Sequence, residues 1–291
     1  MTWILFTFLA AFSQSWRNAF QSRLSRHLNV AGTTLSRFIC ASPLALIYLL
    51  ILYKIHPVAI PSFSGQAIFN LCAAASMQIL ATGLMVVLFK QKNFAIGVGL
   101  AKSEAIMAAI IGMLFFGTTL SSLGWIGVLV GTIAVFFLSC PHGVRSLSPK
   151  TALLGIACGT SFSLCSLWIR ESSLSLHLPF PYSAAWVLFL IISLQTLILL
   201  TYLIIFDRNT LKIMYQKKGL VVLASIASCI GSLGWFSAMS LQTVPYVKTL
   251  GQVEIFFTML ISYFWLKEPI KRKDIMAFIL VAIAAILVMW Q

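Results

Sequence analysis

Long apolar stretches alternate with short polar connections along almost the whole chain. A helix that crosses a bilayer needs about 20 mostly apolar residues. We therefore predict ten transmembrane helices, called spans here, at residues 3–22, 34–53, 65–88, 94–116, 122–140, 151–170, 182–206, 219–241, 244–266 and 273–290. The connections carry turn-forming residues such as proline, and none is long enough for a separate domain. The predicted fold class is an all-α integral membrane protein.

The composition supports a membrane protein over a soluble one. Of the 291 residues, 60% are hydrophobic and only 9% are charged, whereas a soluble domain has about 25% charged residues. A net charge of +14 would also suit a nucleic-acid-binding protein, but this chain would then leave much apolar surface in water. We expect contacts with membrane lipids and none with nucleic acid.

Simple targeting and metal-binding patterns are not visible in the sequence. The first span begins at Trp3 without a basic stretch before it or a small-residue cleavage site after it, so we interpret it as a retained helix. The six cysteines lie singly within apolar stretches and the four histidines are scattered. Because a metal site needs clustered ligands, we expect neither a metal nor another cofactor.

An internal repeat relates residues 1–145 to residues 146–291. A shift of 150 residues superposes residues 94–140 on residues 244–290 without a gap and aligns Glu104 with Glu254, each the only acidic residue of its span. Because each half holds an odd number of spans, the second half would cross the membrane in the opposite direction. The prediction is two inverted five-helix repeats, as in many secondary transporters; a chance likeness of apolar helices is the alternative.

The basic residues predict how the chain is oriented in the membrane. Fourteen of them follow odd-numbered spans, and only Lys54 and Arg170 follow even-numbered spans. Because Lys and Arg collect in cytoplasmic loops, we predict cytoplasmic odd-numbered connections and both termini outside. The expected location is a bacterial inner membrane, where the basic loops would contact anionic lipids.

Ionisable residues at membrane depth indicate a candidate substrate site. A charged side chain at the bilayer centre costs about 2.5–3.5 kcal/mol on insertion scales, so such residues normally face a protein interior or a water-filled cavity. Glu104, Glu254 and Lys102 lie about midway along their spans, whereas Lys248 is nearer one end and could extend to the interface. These residues would attract an anionic group, bind an amine or carry a coupling proton. Fixed ion pairs between helices are the alternative.

Span 1 carries a polar face. Gln14, Arg17, Asn18 and Gln21 recur at helical spacing and share one side of the helix. A helix side that faces lipid would not carry them, so we predict that this face is turned toward the interior. Arg37 begins span 2 at a similar level and would form a cationic entrance with Arg17; an interfacial position is the alternative for Arg37.

Two sequence motifs resemble those of a known family. Residues 266–270, Leu-Lys-Glu-Pro-Ile, are similar to the "GEPL" turn before the last helix of an EamA-type half, and Trp16 is similar to the aromatic of the first helix. With ten spans in two halves, nearly the whole chain resembles EamA-type members of the drug/metabolite transporter superfamily. The chain departs from the pattern at Arg17, where glycine is usual, and at residues 116–120, which lack the acidic residue.

The resemblance implies a substrate cavity between the two halves. Its lining would include Gln14, Gln78, Lys102, Glu104, Trp235, Gln252 and Glu254, and the charge argument adds Arg17 and Lys248. Such transporters typically look like exporters of amino acids and other metabolites or exchangers of phosphorylated compounds. Most have cytoplasmic termini, and the loop charges of this chain predict the opposite.

We predict a monomeric secondary transporter that exports a small charged or zwitterionic metabolite by alternating access, with proton coupling as an option. An exchanger of organic or phosphorylated anions is the main alternative. An intramembrane enzyme would need a nucleophile with a base at membrane depth, and no histidine lies in a predicted span, so we predict no catalytic residue. A channel would show a filter ring, and the sequence shows none.

Overall fold

A computed structural model describes residues 1–91, 101–139, 148–265 and 272–290. Within these ranges all regular structure is helical, which confirms the predicted all-α class for the described residues. The helices are α1 (Thr2–Leu24), α2 (Val30–Leu35), α3 (Ala41–Ile55), α4 (Gly65–Gln91), α5 (Glu104–Phe115), α6 (Ser122–Ser139), α7 (Pro149–Ser175), α8 (Tyr182–Phe206), α9 (Arg208–Gln216), α10 (Lys218–Leu241), α11 (Val244–Leu250), α12 (Glu254–Trp265) and α13 (Arg272–Met289), with a 3-10 turn at Gly251–Val253.

Several helices have the length and composition of membrane spans. Among the described residues, α4, α7, α8 and α10 are long and apolar enough to cross a membrane. Shorter apolar helices occupy Ala41–Ile55, Glu104–Phe115, Ser122–Ala134 and Ile279–Met289, each at the place of another predicted span. Large apolar side chains such as Leu50, Phe69 and Leu197 are exposed, which is typical of a surface that contacts lipid. The number of ten spans stays a prediction.

Several predicted spans are interrupted in the structure. The ninth consists of α11, the 3-10 turn and α12, and the second begins with α2 and turns through residues 36–40 before α3. Apolar pattern alone does not distinguish an intact helix from an interrupted one, because both bury similar side chains. The early start of α2 is fixed by Asn29, whose side chain accepts a hydrogen bond from the Gly32 backbone nitrogen at 2.8 Å.

The described residues include a short helix that was not predicted from the sequence. Helix α9 lies in the polar connection after α8, and the Asp207 side chain caps it by accepting a hydrogen bond from the Thr210 backbone nitrogen at 3.1 Å. Thr210 and Met214 are buried, whereas Arg208 and Lys212 are exposed. A search for long apolar stretches does not find such a short amphipathic helix.

Arg170 lies within α7, so its predicted place in a connection is wrong. The helix continues to Ser175, beyond the predicted end of the span. The Arg170 guanidinium donates through Nη1 to the backbone oxygens of Met239 at 2.7 Å and Gln242 at 2.6 Å. These carbonyls are at the end of α10, where a helix lacks internal donors. Arg170 therefore ties α7 to the end of α10.

The most extensive helix contacts join the two halves of the chain. Helix α1 packs along α10, and α4 packs along α7. At Gly234 the backbones of α10 and α1 are so close that a Cβ would lie 2.7 Å from the Phe6 carbonyl oxygen. Small residues permit such close approach of helices in membranes. This packing brings polar residues from both halves to the middle of the molecule.

Candidate functional site

Both glutamates of the predicted repeat begin a helix directly after a break. Glu104 is the first residue of α5 and follows a turn at residues 102–103, and Glu254 is the first residue of α12 and follows the 3-10 turn. The two breaks coincide under the 150-residue shift. The free amide groups and dipole of a helix start stabilise a carboxylate. Interrupted helices are also common at transporter binding sites.

Glu254 is fully buried and has three side-chain donors. Its carboxylate accepts hydrogen bonds from Gln14 Nε2 at 2.5 Å and from Asn18 Nδ2 at 2.8 Å. The Lys102 ammonium also donates to it and forms an ion pair. These contacts connect α12 of the second half to α1 and to the first break, both in the first half.

Glu104 is held by longer contacts. Its carboxylate oxygens lie 3.8 Å from Lys102 Nζ and 3.5 Å from Lys248 Nζ. Lys248 lies in α11 of the second half, whereas Lys102 lies in the first half, in the turn before α5. Each glutamate is therefore paired with a lysine of the other half, Glu254 with Lys102 and Glu104 with Lys248.

Trp235 closes these contacts into a ring. Its indole ring centroid lies 4.3 Å from Lys248 Nζ, within cation–π distance, and its Nε1 donates to Gln14 Oε1 at 2.7 Å. The polar ring, as we call it, consists of Gln14, Glu254, Lys102, Glu104, Lys248 and Trp235. The structure contradicts the alternative that Lys248 extends to the interface, because Glu104 and Trp235 hold its ammonium inside the protein.

The polar ring borders a central cavity of about 30 Å³. The wall also includes Arg17, Asn18, Arg37, Gln78, Ser166 and Ser232. A space of this size holds about two water molecules, whereas sites for drug-sized ligands have roughly 300–1,000 Å³. The described conformation is therefore closed around its charged residues.

The structure brings eight of the nine predicted site residues to this cavity and does not bring the ninth, Gln252. Gln252 is fully buried and lies against Gly131 of α6. Its amide has no hydrogen-bond partner within the described part of the chain. Gln252 belongs to the 3-10 turn, and its side chain points to a different neighbour from that of Glu254.

The polar face of α1 lies inside the protein, as predicted. Arg17 and Asn18 are 1% exposed, and Gln21 is fully buried and donates to the Thr33 backbone oxygen at 3.2 Å. On α4, Gln78 reaches the cavity and accepts a hydrogen bond from Gln195 Nε2 at 2.7 Å. Arg17, Asn18 and Gln78 therefore converge on one cavity, whereas Gln21 does not line it.

Arg37 is a cavity residue that the sequence analysis placed at an entrance or interface. It is 2% exposed and donates to Ser228 Oγ at 3.1 Å and to Thr82 Oγ1 at 2.9 Å. Helical structure begins at Val30, before the predicted start of span 2, which places Arg37 deeper than expected. The signal that could have indicated this depth is the capping residue Asn29, which precedes the apolar stretch.

Gly159 of α7 allows the first helix break to lie against that helix. A Cβ at this position would lie 2.9 Å from the Glu104 backbone nitrogen. Real Cβ atoms do not approach a neighbour so closely, so a larger residue would have to displace the start of α5. The absence of a side chain here therefore helps to position Glu104.

A second cavity, the vestibule, lies at the far ends of α5 and α7 and has a volume of about 640 Å³. It is lined by Gln66, Asn70, Phe115, Phe116, Trp168, Glu171, Leu174, Ser175 and His177. Trp168 packs edge-to-face against Phe69 and Phe116, both at 6.3 Å between centroids. The vestibule is large enough for a metabolite and lies where even-numbered predicted spans end.

Comparison with known proteins shows the fold and the family. A comparison with curated proteins finds no match. A solved structure, described only as the crystal structure of a protein, covers 99% of this chain and 95% of its own, with a TM-score of 0.73 and 15% sequence identity. That likeness concerns the fold alone.

A family match extends over half of the chain. The profile of the EamA-like transporter family matches residues 145–290. The turn motif at residues 266–270, which suggested the resemblance, lies outside the described residues. The apolar helices and this match together identify the chain as a multi-pass membrane protein that belongs to the EamA-like transporter family.

Proposed function

We propose that this protein is a secondary transporter that moves a small charged metabolite by alternating access. Its halves, residues 1–145 and 146–291, would form two inverted five-helix repeats that rock around the polar ring. Two observations support this proposal, namely the matched helix breaks before Glu104 and Glu254 and the ion pairs between the halves. Secondary transporters commonly place interrupted helices at the interface of such repeats.

The observation that carries the proposal is the pairing of charges across a closed cavity. Lys102–Glu254 and Lys248–Glu104 hold the halves together around the closed cavity. A charged substrate can replace these internal partners, so its binding lowers the free energy needed to separate the halves. A ligand shifts a conformational equilibrium only through such differential contacts.

Cysteine labelling from each side of the membrane tests alternating access without knowledge of the substrate. In a variant that lacks the six native cysteines, Ser166→Cys places a thiol in the cavity wall. We expect a membrane-impermeant thiol reagent to label it slowly from either side of proteoliposomes. Adding Glu104→Gln removes one cross-half ion pair and should raise both labelling rates about tenfold, the equivalent of about 1.4 kcal/mol.

The matched control for this experiment is Ser64→Cys, at an exposed position before α4. We expect its label from one side only. Labelling of Ser166→Cys from one side only, or none at all, would contradict alternating access. Rapid labelling from both sides that Glu104→Gln leaves unchanged would indicate a channel.

The proposed orientation places α9 in the cytoplasm and both termini outside, in a bacterial inner membrane, with export as the direction of transport. It is supported by the excess of basic residues after odd-numbered spans. In spheroplasts, whose outer membrane has been removed, a C-terminal tag should react with an added antibody, and Lys212→Cys should not react with an impermeant reagent. A tag accessible only from the cytoplasm would contradict this orientation.

An exchanger of organic anions is the second candidate, and the charges of the cavity favour it. Among the described residues, four basic side chains and two carboxylates line the cavity: Arg17, Arg37, Lys102 and Lys248 against Glu104 and Glu254. The surplus positive charge makes reorientation of the empty cavity costly. Liposomes loaded with succinate distinguish the two candidates, because an exchanger releases it only when an anion is present outside.

A further inference from the structure

The charged residues of the central cavity divide into a balanced group and an unbalanced group. Two lysines are matched by two glutamates through ion pairs. Arg17 and Arg37 line the same cavity, and neither forms an ion pair within the described part of the chain. Because a guanidinium stays protonated in proteins, the closed cavity carries two positive charges without a matching carboxylate.

Arg17 has a donor that is available for a ligand. Its Nε and Nη2 donate to Asn18 Oδ1 at 3.1 and 2.7 Å, whereas its Nη1 has no hydrogen-bond partner among the described residues. The side chain is 1% exposed. A buried, charged nitrogen without an acceptor is costly, which indicates an acceptor that arrives from elsewhere.

The partners of Arg37 are neutral. Its guanidinium donates to the hydroxyls of Ser228 and Thr82, and it lies 5.2 Å from the centroid of the Phe38 ring. These contacts orient the group without neutralising its charge. The surroundings of Arg37 therefore lack an anion that would balance its positive charge.

Ser232 of α10 adds a hydroxyl to the same wall. It is 1% exposed, lines the cavity, and its Oγ has no partner among the described residues. The cavity has room for a group of two or three heavy atoms, roughly the size of a carboxylate head. Folded proteins rarely have several buried polar groups without hydrogen-bond partners around the same cavity.

We propose that Arg17, Arg37 and Ser232 form the anion subsite of the transport cavity and that the substrate is a small organic dianion. The subsite takes a carboxylate group in the closed cavity, and a larger phosphate group would require the cavity to widen. The two unmatched positive charges set the charge of the ligand, because a zwitterion of zero net charge would leave both in place. The proposal rests on the proposed function, since it assigns the central cavity to the transported molecule.

Binding to the purified protein in detergent tests the subsite independently of transport. The probes are succinate, glycerol 3-phosphate, propionate and alanine. The affinity of each probe is measured by calorimetry at constant ionic strength. We expect a dianion to bind at least about tenfold more tightly than propionate or alanine, since each charge-assisted contact contributes that much. Binding of only succinate or only glycerol 3-phosphate supports the proposal and shows whether the group is carboxylate or phosphate.

Arg17→Gln and Ser232→Ala should each weaken dianion binding, by at least about tenfold for the arginine. The matched control is Lys212→Gln, which removes a positive charge from exposed α9 and should leave binding unchanged. Arg17→Gln also removes surplus charge from the empty cavity. Its melting temperature without ligand should therefore equal or exceed that of the unmodified protein.

Three results would overturn the subsite. They are equal binding of propionate or alanine and the dianions, unchanged binding in Arg17→Gln, and a melting temperature of Arg17→Gln lowered by more than about 4 °C, which would indicate a structural role. None of them affects labelling of Ser166→Cys from both membrane sides. Conversely, one-sided labelling would refute alternating access and leave dianion binding measurable.

Discussion

The two helix breaks place Glu104 and Glu254 at matching positions but give their carboxylates different surroundings. Glu254 has donors from Gln14, Asn18 and Lys102, the longest measured at 2.8 Å, and it is fully buried. Glu104 has lysine partners at 3.5 and 3.8 Å and is 5% exposed. The position of the helix break therefore sets where each carboxylate lies, and the neighbouring side chains determine how tightly the carboxylate is bound.

The difference suggests separate roles for the two glutamates. A carboxylate with a full set of short contacts, such as that of Glu254, stabilises the closed arrangement of helices. A carboxylate with longer contacts, such as that of Glu104, can exchange its partners for a substrate or a proton at lower cost.

Glu254→Gln should cause the largest loss of stability. Glutamine keeps the shape of the side chain but leaves two buried lysines, Lys102 and Lys248, to share the single carboxylate of Glu104. Breaking a buried pair costs about 3–5 kcal/mol. Denaturation of the purified protein in detergent measures the loss. In the control variant Lys102→Met/Glu254→Gln both charges are absent, and we expect most of the stability to return.

Glu104→Gln should reduce stability less, by about 1.5–3 kcal/mol, because its contacts are longer and fewer. If Glu104 carries a coupling proton, this variant should also lose the dependence of succinate transport on an imposed pH gradient. Uptake into proteoliposomes at two internal pH values measures that dependence. A stability loss as large as that of Glu254→Gln would refute the proposed division.

Gly159→Ala should disturb the first break and spare the second. The new Cβ would press on the Glu104 backbone nitrogen, and overpacking of this kind costs about 1–3 kcal/mol. Thermal unfolding measures the effect. The control is Gly219→Ala, where no atom lies within 4 Å of the added Cβ. Equal effects of the two substitutions would show that contact with the break is unimportant.

Asp207 provides a comparison outside the polar ring, since it also stands at a helix start but has no lysine partner among the described residues. The hydroxyl and backbone nitrogen of Thr210 donate to it and lower the pKa of its carboxyl. Its contribution to α9 is therefore present above the unfolded-state pKa, about 3.9, and is lost as pH falls through the lower folded-state pKa.

Asp207→Asn should have the smallest effect at neutral pH, because asparagine also caps helices well. At acidic pH the variant should differ from the unmodified protein, because asparagine has no carboxylate whose protonation would weaken the cap of α9. Hydrogen-exchange protection of peptides from α9, compared at pH 6 and pH 3, measures this difference. Equal loss of protection at pH 3 in both proteins would contradict the role of the ionised carboxylate.

The sequence was sufficient to find most charged residues of the cavity. Glu104, Glu254 and Lys102 lie far inside apolar stretches, and the cost of exposing charge to lipid allows few other positions for them. The polar face of α1 was predictable for the same reason. The helical class followed from the length of the apolar stretches, because helices satisfy their own backbone hydrogen bonds in lipid.

Other features depend on contacts that sequence pattern does not contain. Lys248 is near the end of its predicted span, and only the positions of Glu104 and Trp235 explain why it stays inside. Gln252 has a polar side chain that could bind a substrate, but the 3-10 turn directs this side chain toward Gly131. The burial of Arg37 depends on where α2 begins, and helix boundaries are the least certain part of a sequence-based prediction.

The short length of α5 has a mechanical consequence. Its 12 residues make a rod about 18 Å long, with Glu104 at one end and Phe115 of the vestibule wall at the other. A tilt of about 15° at the break moves the Phe115 end by about 5 Å, by simple geometry from the helix rise. Under the proposed rocking of the two halves, the helix would act as a lever that converts a change of ionic partners at the centre into a change in the shape of the vestibule.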